Sequence, residues 1–103
     1  MDIQIKKGLL DVCVLATLRG GESYGYKIVS DVSHCVEISE STLYPILKRL
    51  EQTGALTTYT AVHNGRLRKY YKICKAGLKR IDEFLEEFKE VMAIYKYVAG
   101  ENL

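Results

Sequence analysis

The chain has 103 residues, 48% of them hydrophobic and only one a proline, which excludes a disordered tail and a collagen-like or low-complexity protein. One compact domain is expected at this length, with a core so small that oligomerisation would add usefully to the buried surface. The net charge of +2 does not by itself indicate a polyanionic partner. Its distribution is more informative, because residues 41–72 carry six lysines and arginines against one acidic residue, whereas residues 22–40 carry one lysine against four.

The first predicted helix spans about Ile5 to Leu18 and is apolar on almost every side. Its end is marked by Gly20 and Gly21, which supply a left-handed C-cap. Acidic Asp11 and the lack of a small-residue cleavage site argue against a signal peptide, and the apolar run is too short to span a bilayer. We therefore interpret the segment as a buried helix.

The second predicted helix begins near Ser23, which is a candidate N-cap. Its apolar residues are spaced for one buried face, and they are Ile28, Val29, Val32 and, as a further candidate, Cys35.

The third predicted helix, from Ser41 to Leu50, has two chemically distinct faces. The face expected to be buried is apolar and consists of Leu43, Ile46, Leu47 and Leu50. The outer face carries hydroxyls near its start, then an aromatic ring and cations, which is the chemistry of a helix that faces DNA; these residues are Ser41, Thr42, Tyr44, Lys48 and Arg49. With Ser41 as N-cap, Pro45 would be the fourth helical residue and would remove only the first intrahelical hydrogen bond. Gly54 is expected to close the helix.

A β-hairpin is predicted between Leu56 and Cys74, because Asn64-Gly65 is typical of a two-residue turn and the flanking residues favour strands. Such a turn pairs His63 with Arg66 and continues in register to Leu56 with Ile73. One face is then largely apolar and the other basic, the basic face being Tyr59, His63, Arg66, Arg68, Tyr70 and Lys72. Lys69 falls on the apolar face, so either its stem crosses the sheet edge or a bulge shifts the register.

The last predicted helix runs from about Lys75 into the late nineties and carries an apolar stripe at three- and four-residue steps. This stripe is wider than a lone helix hides on a small domain, so we expect it to pack against a second copy, with the first helix joining the interface. The predicted interface residues are Leu9, Leu78, Ile81, Leu85, Phe88, Met92 and Tyr95.

The cysteines and histidines do not indicate catalysis or metal binding. The chain has three cysteines, Cys13, Cys35 and Cys74, which is an odd number, and they lack the spacing of zinc ligands. Neither a disulfide framework nor a structural zinc site is therefore indicated, and a reducing cytoplasm is the expected location. Inert thiols are favoured over a redox switch through Cys35 or Cys74. His34 and His63 have no assembled acid or base partner, so the sequence predicts no enzyme, no metal site and no cofactor.

Three sequence motifs follow one another along the chain: ESYGYKIVSDV from Glu22, TLYPILKRLE from Thr42 and RKYYKI from Arg68. Together they resemble the PadR family of bacterial transcriptional regulators, whose members show an SYGYE-type helix start, a TLYP-x-L-x-R-L recognition helix and a KYY wing strand. The resemblance covers nearly the whole chain, as in the short subgroup of that family. It implies a mostly helical α+β fold with a small β-hairpin: a winged helix-turn-helix in residues 1–73 and a C-terminal dimerisation helix in residues 74–103, together one compact domain.

Two departures from the family pattern are visible. Cys74 precedes the last helix where the family usually has a threonine, and a thiol is a poor N-cap. The chain also has no tryptophan, so family members that hold a flat ligand between tryptophans are not a guide to this one.

The functional interpretation is a homodimeric repressor that binds double-stranded DNA at an inverted-repeat operator, with recognition helices entering successive major grooves about 34 Å apart. Gly25 is expected to let a phosphate approach the start of the second helix. Arg49 is instead expected to form an internal salt bridge, with Glu51 or Asp31 as its partner. The predicted DNA-binding residues are Tyr24, Gly25, Tyr26, Ser41, Thr42, Tyr44, Lys48, Arg66, Arg68 and Lys69.

Two further partners remain open. The resemblance implies a small hydrophobic or phenolic effector, bound in the crevice between the wing domains and the terminal helices, that would relieve repression. The alternative to DNA binding is a winged-helix protein-interaction module, which would be expected to lose the cations that this chain retains on the third helix and the hairpin. No membrane partner is predicted.

Overall fold

The computed structural model describes residues 3–101, so residues 1–2 of the predicted range 1–73 and residues 102–103 of the predicted range 74–103 lie outside the described part. Four helices and a three-stranded antiparallel sheet with strand order β1-β3-β2 form the α+β fold predicted from the sequence. The elements are α1 (Ile3–Leu18), β1 (Ser23–Tyr24), α2 (Gly25–Ser33), α3 (Glu40–Gln52), β2 (Leu56–His63), β3 (Arg66–Ile73) and α4 (Lys75–Val98).

The core lies between α1, α2 and α3, as their apolar patterns predict. Helix α1 contributes residues from several sides of its surface, because it is covered by α2, α3 and α4 in turn. The predicted apolar face of α3 is confirmed, since Leu43, Ile46, Leu47 and Leu50 are all buried. Its outer face is consequently turned away from the core and is exposed to solvent.

The start of α2 differs from the prediction. Ser23 is not an N-cap, because Ser23 and Tyr24 form a short strand paired with Tyr71 and Tyr70 of β3. This strand covers part of the free edge of β3, and α2 begins one residue later, at Gly25, without a side-chain cap. The other end also differs: α2 stops at Ser33, so the predicted burial of Cys35 is wrong and its side chain is exposed.

The start of α3 lies two residues before the predicted one. Ser39 is the N-cap and accepts a hydrogen bond from the Thr42 N–H at 3.3 Å. Pro45 is therefore the sixth helical residue rather than the fourth. Because proline has no backbone N–H, one hydrogen bond is missing inside the helix. The predicted end is confirmed, because Gly54 follows the C-cap with φ of 82°.

The hairpin has the register predicted from its turn, with His63 paired to Arg66 and Leu56 to Ile73. Asn64 and Gly65 both have positive φ, as this turn requires. The pairing is continuous through Lys69, so the structure contains no bulge there and Lys69 lies on the inner face of the sheet.

Helix α4 begins at Lys75 behind Cys74, whose thiol makes no capping hydrogen bond, as expected. Gly77 is required by close packing, because a Cβ there would lie 2.6 Å from the carbonyl oxygen of Ala55. Of the 24 residues of α4, only Gly77 and Ile81 are buried. The rest of the helix extends away from the body, and the molecule measures 60 × 26 × 22 Å.

Candidate nucleic-acid interface

A cleft of about 440 Å³ opens where the start of α2, the outer face of α3 and strand β3 meet. Six of the ten predicted DNA-binding residues line it, although they come from three separate stretches of the sequence. The lining residues are Tyr24, Gly25, Tyr26, Tyr44, Arg68, Lys69 and Tyr71. The cleft therefore combines phenol hydroxyls with two cations, which is a set of groups that can bind a phosphate backbone.

Tyr44 of α3 packs directly against Gly25, the first residue of α2. A Cβ on Gly25 would lie 2.5 Å from the Tyr44 hydroxyl oxygen and 2.9 Å from two of its ring carbons. Gly25 is buried, and its missing side chain makes room for the Tyr44 ring. The Tyr44 side chain remains 45% exposed, and its free edge faces the cleft.

The outer face of the sheet carries a column of aromatic rings. Tyr59 and Tyr70 are stacked with ring centroids 5.2 Å apart, and Tyr24 meets Tyr70 edge-on at 6.0 Å. The guanidinium of Arg68 lies 3.8 Å above the Tyr24 ring, in a cation–π contact. Arg68 is thus held beside the cleft, whereas Arg66 is exposed at the turn.

Lys69 is held on the inner face of the sheet by a carboxylate of α3. Its Nζ lies 3.5 Å from Glu51 Oε1, and the Thr58 hydroxyl donates to Glu51 Oε2 at 2.7 Å. The hydrogen bond from Thr58, followed by the charge of Lys69, lowers the pKa of Glu51. About half of the Lys69 side chain is exposed, so this pair is a weak one that a phosphate could replace.

The remaining predicted contacts on α3 are all exposed. The hydroxyl of Ser39 lies 2.9 Å from that of Ser41 and 3.1 Å from that of Thr42, so three hydroxyls cluster at the helix start. Lys48 lies one turn beyond Tyr44 on the same exposed face.

Arg49 has the structural role that was predicted for it, but with a different partner. It pairs with Asp11 of α1 rather than with Glu51 or Asp31. The second carboxylate oxygen of Asp11 lies 2.9 Å from Arg80 of α4. Asp11 is only 4% exposed, and nothing in the α1 sequence indicated an ion pair because the partners are 38 and 69 residues away.

Most residues predicted for a dimer interface are exposed in the single chain. Leu78, Leu85, Met92 and Tyr95 are exposed, and Leu9 and Phe88 are partly buried. Ile81 differs, since it is 3% exposed and packs in the core of its own chain, so it is not available to a second copy. Other exposed apolar residues on α4 are Val91, Ile94, Tyr97 and Val98.

Within residues 3–101, no helix combines the length and apolar character needed to cross a bilayer. Over the same residues, histidine, cysteine and acidic side chains form no group of three or more arranged to hold a metal ion.

Comparison with known proteins gives one consistent family. Residues 14–83 match the family described as Transcriptional regulator PadR-like family. Transcriptional regulator Rv3488 of Mycobacterium tuberculosis is 30% identical over 104 residues, covering 96% of this chain and 97% of that protein.

Two solved structures show the same fold. The crystal structure of smu.1704 from Streptococcus mutans has a TM-score of 0.80 and 41% identity, covering 91% of this chain and 90% of that one. The structure of Bacillus subtilis PadR in complex with operator DNA has a TM-score of 0.70 and 28% identity, covering 75% of this chain and 46% of that one.

Proposed function

Because the chain belongs to the PadR-like family of transcriptional regulators, we propose that it is a homodimeric repressor that binds an inverted-repeat DNA operator. The observation that carries this proposal is the cleft between α2, α3 and β3, where Tyr44, Arg68 and Lys69 meet although they are distant in sequence. The similarity to a PadR protein solved with operator DNA supports the same assignment.

The proposed complex places the exposed start of α3 in a major groove. Ser41, Thr42 and Tyr44 would meet base edges and phosphates, where the helix dipole favours negative charge, and Lys48 would meet the flanking backbone. Around the cleft, Tyr24, Tyr26 and Lys69 would bind phosphates. Arg66 and Arg68 on the wing would reach the adjacent minor groove or its phosphates.

The second half of the proposal is a dimer formed through α4. Its exposed stripe, which includes Leu85, Met92 and Tyr95, supports pairing because a soluble monomer gains nothing from so much exposed apolar surface on one helix. A two-fold axis would then relate the two copies of α3, which requires an operator with inverted half-sites.

A small hydrophobic or phenolic effector is a further part of the proposal. A cleft of about 360 Å³ between α1 and α4 supports it by offering apolar surface from Leu9, Val12 and Phe84 beside the charged groups of Arg80, Glu83 and Glu87. Occupation of this cleft would change how α4 packs on the DNA-binding part of the chain.

The test is selection of bound duplexes from a randomised DNA library at near-physiological salt, with purified protein and no added ligand. Enrichment of an inverted repeat with half-sites about one helical turn apart is the expected result. Recovery of unenriched sequences, bound only through salt-sensitive affinity or not at all, would refute sequence-specific recognition. The protein-interaction module would then be the better description.

Lys48 provides a more specific prediction. Lys48→Ala is expected to weaken binding to all duplexes and to reduce the slope of log affinity against log salt by about one, because one phosphate contact is lost. Lys79→Ala is the matched control, since it removes the same charge from α4, where Lys79 is exposed and pairs with Glu83. An unchanged slope for Lys48→Ala would exclude this phosphate contact.

A further inference from the structure

Asp11 connects three helices through its two carboxylate oxygens. Oδ1 pairs with Arg49 of α3, and Oδ2 lies 2.9 Å from Arg80 of α4. Both arginine side chains are partly exposed, but the carboxylate is buried and needs a cationic partner there. The helix that carries the proposed DNA contacts and the helix proposed to dimerise are thus joined to one buried charge on α1.

Apolar packing holds α4 to the body over only a short length. Its buried residues, Gly77 and Ile81, lie within its first two turns. Clefts of about 360 Å³ and 230 Å³, both lined by Leu9, Val12 and Phe84, flank the place where α4 crosses α1. The bond between Arg80 and Asp11 lies at this crossing, where it opposes a change in the angle of α4.

The length of α4 amplifies any such change. From Ile81 to Val98 the helix extends 17 residues, or about 25 Å at 1.5 Å per residue. A tilt of roughly 10° at the crossing therefore moves the far end by about 4 Å, which is comparable to the 3.4 Å rise of one base pair.

We infer that Asp11 is a positioning residue that fixes the angle of α4 relative to α3 and thereby the half-site spacing that the dimer accepts. This inference rests on the proposed function, because it presupposes DNA reading by α3 and dimerisation through α4. Loss of the link leaves the contacts of each α3 with its half-site intact and changes the tolerance for the distance between half-sites.

The experiment uses the half-sites selected by the wild-type protein, separated by every spacer from several base pairs below to several above the preferred length. Arg80→Met removes the link to α4 while leaving the pair of Asp11 with Arg49, and Asp11→Asn removes the negative charge from both pairs. Lys79→Met is the control, because it breaks only an exposed pair with Glu83 on the same helix.

For Arg80→Met and Asp11→Asn, the affinity ratio between the preferred spacer and spacers one base pair longer or shorter is expected to fall at least threefold, with unchanged base preference within each half-site. Lys79→Met is expected to keep the wild-type ratio. A folded Arg80→Met protein with the wild-type ratio overturns the inference, and this variant decides the question even if Asp11→Asn does not fold.

A measurement without DNA separates failure of this inference from failure of the proposed function. Spin labels are attached through an encoded ketone at Gln52, at the end of α3, and at Lys96, in the last turn of α4, with labelled chains diluted in unlabelled ones. The distribution of distances between them is expected to broaden by several ångströms in Arg80→Met and not in Lys79→Met. A wild-type width in Arg80→Met overturns the inference whether or not the chain selects an operator.

Discussion

The contact between Gly25 and Tyr44 predicts that a single methyl group will impair DNA binding with little effect on folding. In Gly25→Ala the new Cβ would lie 2.5 Å from the Tyr44 hydroxyl oxygen and 2.9 Å from two ring carbons. Tyr44 must then retreat by roughly 0.6–1 Å to restore ordinary contacts. Because the ring is half exposed, it can rotate outward instead of forcing the backbone apart.

The two effects on stability should nearly cancel. Alanine gains roughly 0.5–1 kcal/mol over glycine in a helix, and a displaced side-chain torsion costs on the order of 0.5–1.5 kcal/mol. The free energy of unfolding in urea is therefore expected to stay within about 1 kcal/mol of wild type. In the proposed complex, displacement of the Tyr44 phenol from a phosphate would remove a hydrogen bond to a charged group, worth about 1.5–3 kcal/mol, so operator affinity should fall roughly ten- to a hundredfold.

The assay is fluorescence anisotropy with the selected operator, run beside urea unfolding. Gly8→Ala is the matched control, because a Cβ on that helical glycine meets no atom within 4 Å. In a Tyr44→Ala background the Gly25→Ala change should cost no further affinity. Wild-type affinity for Gly25→Ala, or a full loss that persists without Tyr44, would refute the proposed coupling.

Three further predictions concern the body of the protein. Gly77→Ala places a Cβ 2.6 Å from the Ala55 carbonyl oxygen, a backbone atom, and should destabilise the fold by about 1–3 kcal/mol; an unchanged urea midpoint would contradict this packing. Burial, and then the neighbouring thiol of Cys35, raises the pKa of Cys13. Iodoacetamide at about pH 7.5 should therefore modify the exposed Cys35 before Cys13. Equal rates of modification of the two cysteines in peptide mapping would contradict this prediction. Folding lowers the pKa of Glu51, so ionised Glu51 stabilises the folded state above its unfolded-state pKa, and this stabilisation is lost as the pH falls through the folded-state pKa. The difference in melting temperature between wild type and Glu51→Gln should therefore shrink between about pH 5 and pH 3. A constant difference would exclude this linkage.

The hairpin and the two faces of α3 could be predicted because their causes are local. The Asn64-Gly65 turn sets every pair from His63 with Arg66 to Leu56 with Ile73, and a 3.6-residue period sorts α3 into a buried and an exposed face. Strand β1 could not be predicted in this way. Two residues are too few to show a period of two, and their pairing depends on β3, which lies almost fifty residues later.

The roles of Gly25 and Asp11 also depend on distant residues. A glycine at a helix start is compatible with phosphate approach, and only the fold reveals that Tyr44 occupies the space. An acidic residue in an apolar helix gives evidence against a membrane span, but its arginine partners come from α3 and α4. The local sequence pattern was thus sufficient to predict the helices and the hairpin, whereas the contacts between these elements required the folded chain.

The two wing arginines differ in the entropy that binding would cost them. Arg66 is free in solvent, and fixing a long side chain costs about 0.5–1.5 kcal/mol. Arg68 has already lost much of that freedom, since its guanidinium rests 3.8 Å above Tyr24, which in turn is braced by Tyr70 and Tyr59. Much of the side-chain conformational entropy of Arg68 has therefore already been lost on folding, before any DNA is bound. In the proposed complex, Arg66 would contribute mainly screened attraction, and Arg68 would act as a preorganised contact that aligns the wing on the duplex.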